Sequence, residues 1–184
     1  MGLPEFYTPK FIMRSRTNDS LRINDIWTFK SVKSNKRYIV EVEGFDKEFY
    51  GIKFYWKGVE KSMNRYSLLT NDFEPRRIIR SCIEIMLNYY SKNNLASFGF
   101  IASADLEKDI IGKIIKPEEG SRRFQFYQRI LISWFGQKTF YHYSDKNKFF
   151  YLLINRFQLD NQTLQIEEII DKINDIYIGD FLFE

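Results

Sequence analysis

Apolar and polar positions alternate along Arg37–Gly44 (RYIVEVEG), with Tyr38, Val40 and Val42 on one face and Glu41 and Glu43 on the other. Phe49–Trp56 repeats the pattern, setting Tyr50, Ile52, Phe54 and Trp56 opposite Gly51, Lys53 and Tyr55. A period of two marks a strand with one buried face. Ile26–Val32 reads as a preceding strand. The short, turn-like stretches KSNK and FDKE between these segments predict an antiparallel meander. Met63–Thr70 is its predicted fourth strand, and Glu41 and Glu43 are expected to face solvent.

Near Asp72 the period lengthens. Glu74–Tyr90 carries Ile78, Ile79, Cys82, Ile83, Met86, Tyr89 and Tyr90 at helical spacing. Asn71 or Asp72 is the expected N-cap, and Pro75 falls in the first turn, where its missing N–H is tolerated. Ala96–Ala102 (ASFGFIA) is apolar on both faces, as a central strand flanked by helices would be. Ser103–Ser121 is a polar insertion. Arg122–Phe135 is a second helix, with Phe124, Tyr127, Leu131, Trp134 and Phe135 along one stripe. Thr139–Tyr143 and Phe149–Ile154 close as a hairpin, and Leu164–Ile176 is a final amphipathic helix.

A helix between the fourth and fifth strands implies a right-handed crossover and one parallel pair. The expected fold is therefore α/β in the α+β sense, a mixed and mostly antiparallel sheet in meander-helix-strand-helix-hairpin order. One domain is expected over residues 1–184: an arm at 1–25, a core at 26–154 and an acidic C-terminal helix at 155–184.

Composition narrows the function classes. The 184 residues are 44% hydrophobic and 28% charged, the balance of a globular chain and not of a disordered one. Cys82 is the only cysteine, which excludes an internal disulfide, and its isoleucine neighbours make it a core residue. With His142 as the only histidine there is no zinc-site spacing, and the scattered carboxylates give no EF-hand loop. The start, MGLPEF, lacks a basic region leading into an apolar run, so no secretory leader is expected, and Phe6 stands where myristoylation wants Ser or Thr. No apolar run approaches a bilayer span. A cytoplasmic protein without membrane contact is expected. The formal charge is +4, unevenly placed: from Asn155 onward Arg156 and Lys172 face seven carboxylates, leaving a basic body. That asymmetry suits an anionic partner, or an acidic helix that balances the body.

The element order resembles the GNAT-type N-acetyltransferase fold, and uncharacterised bacterial and phage proteins of that fold, over roughly residues 26–154. In that family the helix after the fourth strand begins with a Gln/Arg-x-x-Gly-x-Gly/Ala loop, whose backbone amides hold the coenzyme A pyrophosphate. Laid on this chain, Arg77 takes the Gln/Arg place, Arg80 stands where the first glycine belongs, and Cys82 takes the Gly/Ala position. An arginine there fills space the pyrophosphate needs. The family's helix after the fifth strand carries a tyrosine that protonates the leaving thiolate, and Tyr127 is similarly placed, although it also belongs to the apolar stripe.

Three functions follow as expectations. The first is a binding or regulatory module on a divergent acetyltransferase-like scaffold, with no cofactor, recognising a small anionic ligand or a protein partner. The second is an acyl-CoA-dependent N-acyltransferase, with Tyr127 as its acid and acetyl-CoA as its cofactor. The third is nucleic-acid binding through RRFQFYQR, which mixes arginines with aromatics. Arg76, Arg77, Arg80, Arg122 and Arg123 are the candidate anion- or cofactor-binding residues. Cations at a helix start oppose its dipole unless an anion joins them. The two helix starts are expected to converge at the carboxyl ends of the parallel strands, with an anion within reach of Arg77 and Arg80. The competing expectation pairs Arg76 and Arg77 with Asp72 and Glu74, and Arg122 and Arg123 with Glu118 and Glu119.

Overall fold

The computed structural model describes residues 5–16, 23–62, 65–66, 74–101, 107–108, 114–115, 122–144 and 150–173. Its strands are β1 (Lys10–Arg16), β2 (Ile23–Lys30), β3 (Arg37–Phe45), β4 (Phe49–Trp56), β5 (Ser97–Ile101), β6 (Glu107–Lys108), β7 (Ile114–Ile115), β8 (Phe140–Ser144) and β9 (Phe150–Asn155). The helices are α1 (Pro75–Lys92), α2 (Arg122–Trp134), α3 (Arg156–Asp160) and α4 (Ile166–Ile173).

Seven strands form one mixed sheet in the order β1-β2-β3-β4-β5-β9-β8, and β6 pairs with β7 in a separate small hairpin. Only β4 and β5 run parallel; every other pairing is antiparallel. The fold is thus mixed α+β with a mostly antiparallel sheet. Its meander differs from the expected one. It begins at β1, inside the segment expected to be an arm, and it ends at β4. β4 bonds directly to β5, from Phe49↔Ser97 to Ile52↔Phe100. The parallel pair therefore uses the third predicted strand. Of Met63–Thr70, only Arg65 and Tyr66 lie among the described residues, and they form a turn.

The period-two pattern explains why β3 and β4 are so regular. Tyr38, Val40, Val42 and Ile52 point to the face covered by α1 and α2, where they join Ile79, Cys82, Ile83, Met86, Phe98, Phe124 and Leu131 in the larger core. The opposite face buries Phe49, Phe150, Leu152 and Ile154 under α4, through Leu164, Ile169 and Ile173. β5 and β9 are consequently sandwiched, which is why their sequences are apolar on both faces. Gly99 on β5 marks the tightest point: a Cβ there would lie 2.7 Å from Phe49 Cζ. The acidic α4 is tied to the turn after β3 by the ion pairs Lys47–Glu168 and Lys172–Asp46.

Helix α1 starts at Pro75 with Glu74 in the cap position. The expected caps, Asn71 and Asp72, lie outside the described residues. Proline fixes this start, because its ring suits the first turn and supplies no N–H to an earlier one. α2 buries Phe124, Tyr127 and Leu131, and Phe135 just beyond it, but leaves Trp134 exposed, so the expected stripe is one residue too wide. Among the described residues no helix is long and apolar enough to cross a membrane.

Candidate functional site

Helix α1 begins on a buried carboxylate. Glu74 is 2% exposed, and its Oε2 accepts a hydrogen bond of 2.5 Å from the Tyr7 hydroxyl. Its Oε1 accepts from the hydroxyls of Ser31 and Ser34, the latter at 3.0 Å. Tyr7 arrives from the segment before β1, and its N–H donates to Ser81 Oγ at 2.8 Å. Ser31 and Ser34 come from the β2–β3 turn. Two separate pieces of chain thus converge on one carboxylate at the positive end of α1, where a negative charge is stabilised by the helix dipole. Burial, and then the bond to Glu74, push the Tyr7 hydroxyl up from its ordinary pKa, which keeps it a donor.

Among the arginines whose side chains are described, Arg80 stands apart from Arg76 and Arg77. Arg80 pairs with Glu84 one turn on, at 2.5 Å, and its guanidinium lies 3.5 Å from the centroid of the Trp134 ring, while its Nε and Nη1 are buried without a hydrogen-bond partner. Phe6 lies on it as well, at 5.7 Å. An arginine sandwiched in this way bridges α1 to α2, and the exposed indole of Trp134 is the platform it needs. Arg76 and Arg77 stand elsewhere, lining a cavity of about 290 Å³ with Glu5, Glu74 and Pro75. Glu74 turns its carboxylate toward Tyr7, Ser31 and Ser34, so the expected Glu74 pairing with these arginines is replaced by a hydroxyl cage. Arg122 and Arg123 open α2, and their side chains lie outside the described residues, as do Asp72, Glu118 and Glu119.

Tyr127 occupies a telling position in the sheet. Its ring lies 6.1 Å from that of Phe54 and 5.5 Å from that of Phe100. Phe100 is the last β5 residue but one, whereas Phe54 belongs to the part of β4 that continues past the parallel register. Tyr127 therefore sits over the point where the two strands cease to pair, yet it is 3% exposed and surrounded by aromatic side chains. Phe124 is buried as well, whereas Phe126, the third ring of RRFQFYQR, is only partly buried.

Sequence reasoning missed a second polar cluster on the other face of β3 and β4. Glu41, expected in solvent, is buried and accepts a 2.8 Å bond from the Tyr66 hydroxyl. Arg65 donates to that hydroxyl at 3.0 Å and lies over the rings of Tyr66 and Tyr55. Lys53 pairs with Glu43 at 2.5 Å, so this acid is also largely covered. Burial, reinforced by Glu41, raises the Tyr55 hydroxyl to about 12. The signal was present in the sequence, since Lys53 lies opposite Glu41 and next to Glu43 across the strand pair. A third cluster joins β1 to α1. Arg14 binds Asp25 through two bonds, of 2.7 and 2.8 Å, and Asp25 also accepts from the Tyr89 hydroxyl. Burial opposes the charge on Asp25, but these donors win and hold its carboxyl below the usual range.

No group of three His, Cys, Asp or Glu side chains suited to a metal ion exists among the described residues. Cys82 is fully buried in the core, which pushes its thiol well up and removes it as a nucleophile. No family model, no curated protein and no solved structure matches this chain.

Proposed function

We propose that this chain is a binding module on a divergent acyltransferase-like scaffold, and that Arg76 and Arg77 take an anionic group of its ligand or partner. The sheet order, with a helix joining its one parallel pair, supports the scaffold. The observation that carries the binding reading is the chain's own occupation of the α1 start by the Glu74 carboxylate. A pyrophosphate brought to the backbone amides of α1 meets this like charge, whereas an anionic group in the cavity beside it also meets Arg76 and Arg77. At about 5 Å and an effective dielectric of about 20, each pair of unit charges costs about 3 kcal/mol. Arg80 adds bulk where the family's glycine lets backbone approach phosphate, and its stack on Trp134 keeps it there.

The acyltransferase reading has one observation in its favour: Tyr127 lies over the place where β4 outruns β5. The two readings separate in a titration of isotope-labelled protein with phosphate and with a short polyglutamate peptide, followed by amide NMR. The binding reading expects shifts at Arg76 and Arg77 that vanish in the Arg76→Ala, Arg77→Ala double variant. Shifts confined to the Tyr127 surroundings would overturn it.

A further inference from the structure

Strand β2 ends at Lys30 and β3 begins at Arg37, and the register sets these two residues opposite one another. Partners across a strand pair share a face, so two cations stand side by side, a destabilising arrangement when nothing neutralises it. On the other side of β3 the last pair is Tyr38↔Trp56, and Lys57 follows Trp56 directly. Three neighbouring strands, about 4.8 Å apart, thus carry a cation at the same end of the sheet. Lys30, Arg37 and Lys57 are exposed, and none of them forms an ion pair among the described residues.

The β2–β3 turn adds Lys33 and Lys36 at this end, with Lys36 Nζ 4.8 Å from the centroid of the Trp56 ring. Ser31 and Ser34 of the same turn bond to the Glu74 carboxylate, which fixes the cationic turn against the start of α1, beside Arg76 and Arg77. The acids in these segments are Glu5, Glu60 and Glu74, and Glu74 is already enclosed by hydroxyls. A cationic rim that crosses three strands and reaches a helix is too broad for one phosphate, and it suits several anionic groups in series. Val32 is the one large apolar side chain that the turn exposes, so the rim lacks the apolar centre of a protein–protein interface. Its polar, positively charged character is that of a nucleic-acid interface, where phosphate contacts supply affinity. We propose that this end of the sheet binds the phosphate backbone of a nucleic acid through the row Lys30, Arg37 and Lys57, without reading its sequence. The proposal rests on the reading that Arg76 and Arg77 take an anionic group, and it names that group as a nucleic-acid phosphate.

The test is fluorescence anisotropy of the full chain with a labelled twenty-nucleotide oligothymidylate, alone and as its duplex with oligoadenylate, beside a labelled polyglutamate peptide of equal charge. At least one form of the oligonucleotide is expected to bind at least tenfold more tightly than the peptide, with an affinity that falls as salt rises. The Lys30→Gln, Arg37→Gln double variant is expected to bind it at least tenfold more weakly at low salt, and to lose about 1.5–2 from the slope of log affinity against log salt. Both positions are exposed, so circular dichroism is expected to show an unchanged fold. Lys138→Gln is the control: Lys138 is exposed just before β8, at the opposite end of the sheet, and a change of less than twofold is expected. Failure of both oligonucleotide forms to bind, while inorganic phosphate still shifts the Arg76 and Arg77 amides, would overturn this inference and leave the reading beneath it standing. Binding unaltered by Lys30→Gln, Arg37→Gln would overturn it, as would an equal loss on Lys138→Gln, which would mark attraction to net charge alone. Tighter binding of the polyglutamate peptide would overturn it in favour of an acidic protein partner.

Discussion

Glu74→Ala removes the acceptor shared by Tyr7, Ser31 and Ser34. A hydrogen bond to a charged acceptor contributes about 1.5–3 kcal/mol, so three amount to roughly 5–9 kcal/mol gross. Against this, the variant no longer buries a carboxylate, which relieves an effective penalty of several kcal/mol. A net loss of about 3 kcal/mol is expected, or roughly 6–12 °C in Tm for a chain of this size. Glu74→Gln keeps an acceptor for the two serines but sets an amide against the Tyr7 hydroxyl, and about half that loss is expected. Urea unfolding followed by tryptophan fluorescence measures both. Tyr7→Phe supplies the control: the double variant with Glu74→Ala should lose less than the sum of the singles, by about 1 kcal/mol or more. A Glu74→Ala loss below about 0.5 kcal/mol, additive with Tyr7→Phe, would refute the view that this carboxylate organises the α1 start.

Two further perturbations probe the packing. His142 accepts from the Tyr151 hydroxyl at Nδ1 (2.8 Å) and donates from Nε2 to the Phe135 carbonyl (2.9 Å), and burial lowers its pKa below the ordinary value of 6.5. A group that binds its proton more weakly when folded stabilises above its unfolded pKa. Stability is therefore expected to fall as pH drops below about 6.5, and His142→Gln should flatten that part of the profile in urea titrations; an unchanged slope would count against the assignment. Gly99→Ala drives a methyl against Phe49 and Leu152 in a sandwiched strand, and a loss of about 1–3 kcal/mol is expected by calorimetry.

The legible parts of this fold are those in which one face is buried and the other is not. β3 and β4 announce themselves through Tyr38, Val40, Val42 and Ile52, and α1 through its isoleucines. β1 stays hidden because the run Phe11, Ile12, Met13 has no alternation, and its bulge removes what register remains. The same alternation misleads at Glu41: a polar position opposite a core face reads as solvent-exposed, yet Tyr66 comes over it from a later turn. The surroundings of Arg80 were only half legible for a related reason. The Arg80–Glu84 pair was readable at its helical spacing, but Trp134 reaches Arg80 only through the packing of α1 against α2. Glu74 could not be singled out at all, since Tyr7, Ser31 and Ser34 meet it only once the sheet has formed.

Isothermal calorimetry with acetyl-CoA tests directly the proposal that Glu74 and Arg80 close the start of α1 to coenzyme A. No saturable binding is expected up to about 1 mM, which corresponds to less than about 4 kcal/mol of binding free energy. Micromolar binding that is lost on Arg77→Ala or Tyr127→Phe would contradict it and establish the acyltransferase reading instead.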